Sequence, residues 1–233
     1  MNDPSAIPPA LTDATRPSLT ERGSVPDAVR VQMLATEHWS LLATRGMTWN
    51  EAFSRASMFL TALSAAVVAL ALVAQATAFG PGFRTFALLV LPVVLLVGLA
   101  TVVRLDDTII ADYGLVIGMN RLRHAYLELA PELASYFVTA HHDDEAGVTA
   151  SFGFGSGYGF GRFLAATPNL VVAINVVVAG VLAALVAQTA GAPEAVVVAL
   201  GVVGALAAAI GLGALTSRTL ARKRRLYRPR FPA

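Results

Sequence analysis

The residue types best suited to chemistry lie in the middle of the chain. His141-His-Asp-Asp-Glu145 puts five possible metal ligands in a row. Adjacent side chains rarely converge on one ion, and no second ligand cluster stands at a recognisable spacing. The run reads as a solvated linker, and neither a metal nor a cofactor is expected. His124 and Glu128 stand one helical turn apart and can pair as ordinary helix support. Asp106 and Asp107 adjoin an apolar stretch and read as caps of the helix that follows.

The tract 151–161, Ser-Phe-Gly-Phe-Gly-Ser-Gly-Tyr-Gly-Phe-Gly, alternates its glycines. A phosphate loop needs G-x-x-x-x-G-K-[ST], and no lysine follows here. The dinucleotide pattern G-x-G-x-x-G fails as well. Gly157-Tyr-Gly159 shares the core of a potassium filter but lacks the preceding Thr-Val and a pore helix. The tract reads as a linker whose Phe152, Phe154, Tyr158, Phe160 and Phe163 dip into a membrane interface, where aromatics are favoured. An ordered lid or subunit contact is the other reading. Neither G-x-S-x-G nor H-E-x-x-H occurs, so no enzyme is expected. An enzyme acting on lipid would have to draw on Asp106, Asp107 or His124.

Polar residues inside the apolar stretches are few. Thr61, Ser64, Gln75, Asn175 and Gln188 stand there, with no acidic or basic side chain. A coupled transporter usually carries ionisable groups in its spans, whereas a channel can use amides and hydroxyls. Gln75, Asn175 and Gln188 are therefore the candidates for pore or interhelix polar contacts. Gly180 and Ala184, and Gly204, Ala208 and Gly211, form small-residue stripes that let helix backbones approach. After the last apolar stretch come Arg218, Arg222, Lys223, Arg224, Arg225, Arg228 and Arg230. This basic tail can anchor topology and meet anionic lipid headgroups. Nucleic-acid binding is not expected, because the charge adjoins an apolar helix.

The elements that must position these residues follow from composition and pattern. The 233 residues are 56% hydrophobic and only 14% charged. An ordinary soluble domain is about 45–50% apolar and about 25% charged. The chain is thus an integral membrane protein rather than a disordered chain, a disulfide scaffold or a cytosolic enzyme. Cysteine is absent, and lysine occurs once against sixteen arginines. That bias, with the abundant alanine, valine and glycine, fits a GC-rich bacterial genome.

Residues 1–25 are proline-rich and polar, and read as a disordered tail without signal-peptide character. Residues 26–56 read as cytoplasmic or interfacial helices. The first is capped by Ser24, carries Pro26 in its first turn and ends at Gly46. Val31, Leu34, His38, Leu41 and Leu42 share one face, and Trp39 suits a bundle or a membrane surface. Thr48-Trp-Asn-Glu51 is a capping box that starts a new helix.

Residues 57–104 form a first transmembrane hairpin, with uncharged stretches 57–79 and 86–103 around the turn Phe79-Gly-Pro-Gly-Phe83. Residues 105–166 are a cytoplasmic helical segment followed by the Gly/aromatic linker. Its stretch 108–119 contains Asp112 and is short for a span, so it reads as an external amphipathic helix, continuing the second span or following it. Ile109, Tyr113, Val116, Asn120, His124 and Leu127 trace its stripe; Pro131 breaks or kinks it, and a short helix can follow over 132–140. Residues 167–217 form a second transmembrane hairpin, turned at Gly191-Ala-Pro-Glu194, and 218–233 is the basic cytoplasmic tail.

The expected fold is all-α: a polytopic membrane protein with four transmembrane helices in two hairpins plus cytoplasmic helices. Sixteen of the seventeen Lys and Arg residues fall outside the two hairpin turns, with Arg84 the exception. The positive-inside rule then puts both termini on the cytoplasmic side of the inner (plasma) membrane. The leading functional expectation is a non-enzymatic homo-oligomer in the lipid bilayer, a channel-like or membrane-effector module. The alternative is a membrane-anchored scaffold or sensor that binds a cytoplasmic protein partner through its helices.

Overall fold

The computed structural model describes residues 25–152, 167–224 and 227–233. Among them every regular element is helical. In order they are α1 (Asp27–Thr77), α2 (Pro81–Leu129), a 3-10 turn (Pro131–Tyr136), α3 (Glu145–Ser151), α4 (Thr167–Thr189) and α5 (Glu194–Arg224). Four of these, α1, α2, α4 and α5, are long and apolar enough to cross a membrane. Residues 1–24 of the expected tail 1–25 with the Ser24 cap, most of the Gly/aromatic tract with Phe154, Tyr158 and Phe160, Phe163, and Arg225 lie outside the described residues.

The helix α1 runs for 51 residues, about 76 Å at 1.5 Å per residue. It contradicts the expected break at Gly46 and the expected capping box. The Thr48 hydroxyl donates to the carbonyl of Thr44 inside the helix instead of capping a new one. The reason is a seam of buried and half-buried residues that ignores Gly46. Leu34, His38, Leu41, Arg45, Thr48, Ala52, Ala56, Phe59, Leu63 and Ala66 recur at steps of three and four. This spacing packs one helix along another, and here the partner is α2. One glycine costs about 1 kcal/mol against alanine, too little to break such a seam. Val31 and Leu42, expected on this face, are exposed instead.

The turn after α1 is tight. Ala78 and Phe79 both take left-handed backbone conformations, at φ 45° and 58°. The Gly80 N–H returns to the carbonyl of Thr77 at 2.8 Å. A Cβ on Gly80 would press on that same oxygen, so the position favours glycine. Pro81 then opens α2, where a missing N–H is harmless.

The helix α2 is also continuous, with 49 residues from Pro81 through Pro92 to Leu129. Stretch 108–119 therefore continues the second apolar stretch as one helix. Asp106 and Asp107 sit in its interior rather than at a cap. Pro131 follows its end, and the expected short helix is a 3-10 turn. The short α3, between the expected polar linker 141–145 and the Gly/aromatic tract, is capped by Asp144, whose carboxylate accepts from the Gly147 N–H at 2.8 Å.

Three residues join α1 to α2 and four join α4 to α5, and each pair packs along its length. The contact of α2 with α4 ties the pairs together. The core there holds Phe59, Val94, Val102, Leu105, Val171 and Val178. Between α4 and α5 the backbones approach closely. A Cβ on Gly180 would lie 2.9 Å from the carbonyl oxygen of Gly201, and one on Gly204 would lie 2.6 Å from the Ala183 Cβ. The Ala184 Cβ meets Gly201 in the same seam. Gly211 faces open space and Ala208 is half-buried.

Candidate functional site

The polar side chains gather where α1, α2 and α5 continue past their apolar stretches. The first layer past the apolar stretch of α2 is a carboxylate fork. Arg104 donates from Nη2 to both oxygens of Glu51, at 2.9 and 3.0 Å, and Arg55 joins from the next turn of α1 at 3.1 Å. These groups are exposed, so the fork registers the two helices more than it stabilises them. Beside it the buried Asp106 accepts a hydrogen bond from the Thr216 hydroxyl of α5 at 2.7 Å.

The next layer holds a half-buried ion pair. Arg45 donates from Nε and Nη2 to the two oxygens of Asp112, at 2.6 and 3.2 Å. The Asp112 side chain is 1% exposed. The guanidinium also lies over the Phe152 ring, 5.6 Å from its centroid. Two turns further along α2, Asn120 is fully buried. Its amide donates to the carbonyl of His142, and its oxygen accepts from Arg123 and from the Ser151 hydroxyl. Asn120 thus fastens the 142 loop and α3 onto α2, where Val148 packs with Val116, Ile117 and Met119.

The outermost layer binds residues 227–233 of the chain itself. The buried Asp143 carboxylate accepts from the backbone N–H of Arg230 at 2.9 Å and of Phe231 at 2.8 Å. Arg121 clamps the same carboxylate from α2 at 2.7 Å and donates to the carbonyl of Arg228 at 3.0 Å. The Asp143 N–H returns to the carbonyl of Phe231, and Asp144 accepts from the N–H of Ala233. Phe231 stacks on His124 with centroids 4.2 Å apart, and Tyr227 meets Tyr113 edge-on over Gly114. The tail is thus a strap laid along α2.

Electrostatics fit this arrangement. Burial works against the Asp143 carboxylate, but the N–H of Arg230, the Arg121 guanidinium and the N–H of Phe231 outweigh it and hold the group below the ordinary aspartate range. The N–H groups of Ala233 and Gly147 hold Asp144 low as well. Burial, with His142 and His124 nearby, keeps His141 below the usual imidazole value.

Both carboxyls are lowered in the docked state, so they stabilise docking above the ordinary aspartate value of about 4. That contribution is lost as pH falls through the lower docked values. The strap should therefore hold at neutral pH and leave in strong acid. Emission from a fluorophore on an introduced cysteine at 233 would follow the release; emission unchanged down to strong acid would refute the carboxylate clamp.

The expected site residues fall into separate places. Asn175 is buried between α4 and α2. Its amide donates to the carbonyl of Val171 at 2.8 Å, and its side chain fills the space left by Gly98. Gln75 and Gln188 are exposed near the C-terminal ends of α1 and α4. Arg218, Arg228 and Arg230 are exposed, and only the backbone of Arg222, Lys223 and Arg224 is described. His124 and Glu128 pair at 3.5 Å. Among the described residues no group of three or more metal-ligand side chains converges.

Sequence reasoning missed Arg45, Gly98, Arg121 and the strap. The paired aspartates and the aromatic Tyr227 and Phe231 in a basic tail were the available signals for the last of these. The helices define a chain of the multi-pass membrane class. No protein-family model matches it, and no curated protein or solved structure does either.

Proposed function

We propose that this protein is a non-enzymatic, membrane-anchored scaffold or sensor. Its four apolar helices, in two hairpins, hold it in the inner membrane. Its cytoplasmic helices present a surface to a protein partner, with both termini on the same side. One observation carries the preference over a channel-like oligomer. The interlocked polar groups lie on the parts of α1, α2 and α5 past the apolar stretches and on the loop at 142–144, while among the described residues the apolar stretches bury only the Asn175 amide and the Thr101 hydroxyl, each bonded to a carbonyl of its own helix. The same part of α1 leaves Met33, Trp39 and Met47 more than half exposed, a surface suited to a partner helix. The sixteen basic residues outside the turns support the cytoplasmic orientation.

The test combines two measurements on the intact protein. A photo-reactive residue at position 39 or 47, introduced in native membranes, should give one discrete protein adduct. Purified protein in liposomes should leave ion permeability unchanged. A defined conductance that Asn175→Leu and Gln188→Leu abolish would overturn the scaffold reading and favour the oligomeric channel.

A further inference from the structure

The strap combines two features that pull in opposite directions. Its docking uses mainly backbone groups: the N–H of Arg230, Phe231 and Ala233, and the carbonyls of Arg228 and Phe231. The side chains of Arg228 and Arg230 take no part in these bonds and stay exposed. Docking therefore leaves the arginine charges available while holding them in one place.

That place follows from the helix rise. Tyr227 lies on Gly114 and Phe231 on His124, so the strap climbs α2 away from Val103, the last residue of its apolar stretch. At 1.5 Å per residue the strap sits about 16–32 Å past that point. Headgroups add only about 5–7 Å to the hydrocarbon edge, and charge is screened over about 8 Å. Docked, Arg228 and Arg230 stand clear of a membrane surface. Released, Arg228 and Arg230 lie four and six residues past Arg224 and reach about 14 and 20 Å from it when extended. Arg224 itself stands about 14 Å past Leu215, where the apolar stretch of α5 ends. The free strap thus reaches the surface easily.

We propose that residues 227–233 exchange the aspartate groove on α2 for an anionic membrane surface. The groove is formed by Tyr113, Gly114, Arg121, His124, Asp143 and Asp144. Anionic lipid competes with it for the strap by drawing Arg228 and Arg230, alongside the basic run 222–225, to the headgroups. The exchange bares the groove's carboxylates and the His124 ring in one step. This inference rests on the membrane-anchored reading, and it names the lipid class that acts on it.

The chain has no cysteine, so labels can be placed singly or in pairs. Spin labels at Glu128→Cys and Ala233→Cys, in full-length protein in nanodiscs, report the distance between groove and strap. In phosphatidylcholine the short, docked distance should dominate. Added phosphatidylserine should shift the docked-to-released ratio, by roughly fivefold per arginine brought to the surface. Arg228→Gln with Arg230→Gln should suppress that shift while leaving docking in phosphatidylcholine intact. Asp143→Asn should release the strap without anionic lipid. The lipid-dependent arms do not depend on how that variant folds.

A docked distance unchanged by phosphatidylserine would overturn the proposal. So would release by inorganic phosphate at matched ionic strength, because the strap would then answer to the anion and not to a surface. Failure of the protein to insert in nanodiscs would instead defeat the membrane reading on which the proposal rests.

Discussion

Replacing Arg45 with alanine should destabilise the α1–α2 pair by about 3 kcal/mol, the low end of the range found when one member of a buried ion pair is removed, because Asp112 is buried while Arg45 is 31% exposed. The magnitude comes from Asp112. Its side chain is 1% exposed, and both its oxygens are held by the one guanidinium. Without that partner a carboxylate is left in the seam between the two helices. Denaturant titration in detergent, followed by tryptophan emission, would measure the loss; a change under about 1 kcal/mol would put the pair in the class of ordinary surface bridges. Arg45→Lys should recover only part, since an ammonium lacks the planar fork with which the guanidinium grips two oxygens while lying over Phe152. Arg45→Met combined with Asp112→Leu should be far milder than Arg45→Ala alone, because removing both charges leaves neither one stranded.

A side chain at Gly98 should loosen α2 from α4. Any Cβ there would collide with the Asn175 side chain, which is itself buried and tied to the carbonyl of Val171. Gly98→Ala should cost about 1–3 kcal/mol by overpacking, and Gly98→Leu more. The second-site test is sharper than the first. Asn175→Ala in the Gly98→Ala background removes the colliding amide and should restore part of the loss. If the double variant is as unstable as the sum of the singles, the two residues do not share a space. Introduced cysteine pairs across the helices would report the separation directly.

The four apolar helices were legible because uncharged runs of this length have few other uses. Their outer ends were not. Gly46 and the Thr48–Glu51 spacing are genuine local stop and start signals, yet α1 passes through both. Asp106-Asp107 looked like a cap and is helix interior. In each case a seam of side chains between α1 and α2 outweighs a local preference of about 1 kcal/mol. That seam was half visible, since Leu34, His38 and Leu41 carry its period, but Arg45 was hidden by its charge. The His124–Glu128 pair was legible because its spacing is local. The strap was not, because backbone N–H groups bind Asp143 from 87 and 88 positions away, and no residue type announces a backbone donor. The small residues were legible as a class, but the pattern alone could not separate Gly204, which meets Ala183, from Gly211, which meets nothing.

The unbroken course of α2 has a mechanical consequence. A single helix carries both the residues that would sit in lipid and the groove that holds the strap. It has no joint between Val103 and His124, so the outer part acts as a lever arm about 32 Å long. A change of about 10° in the tilt of the inner part, small against the usual spread of about 0–40°, would swing the His124 end of the groove by about 5–6 Å. Bilayer thickness and neighbouring helices set that tilt. A displacement of that size exceeds the length of any hydrogen bond holding Arg230 and Phe231. Were α5 to stay in place during such a tilt, the lever would tie the grip on residues 227–233 to the inclination of the apolar part of α2.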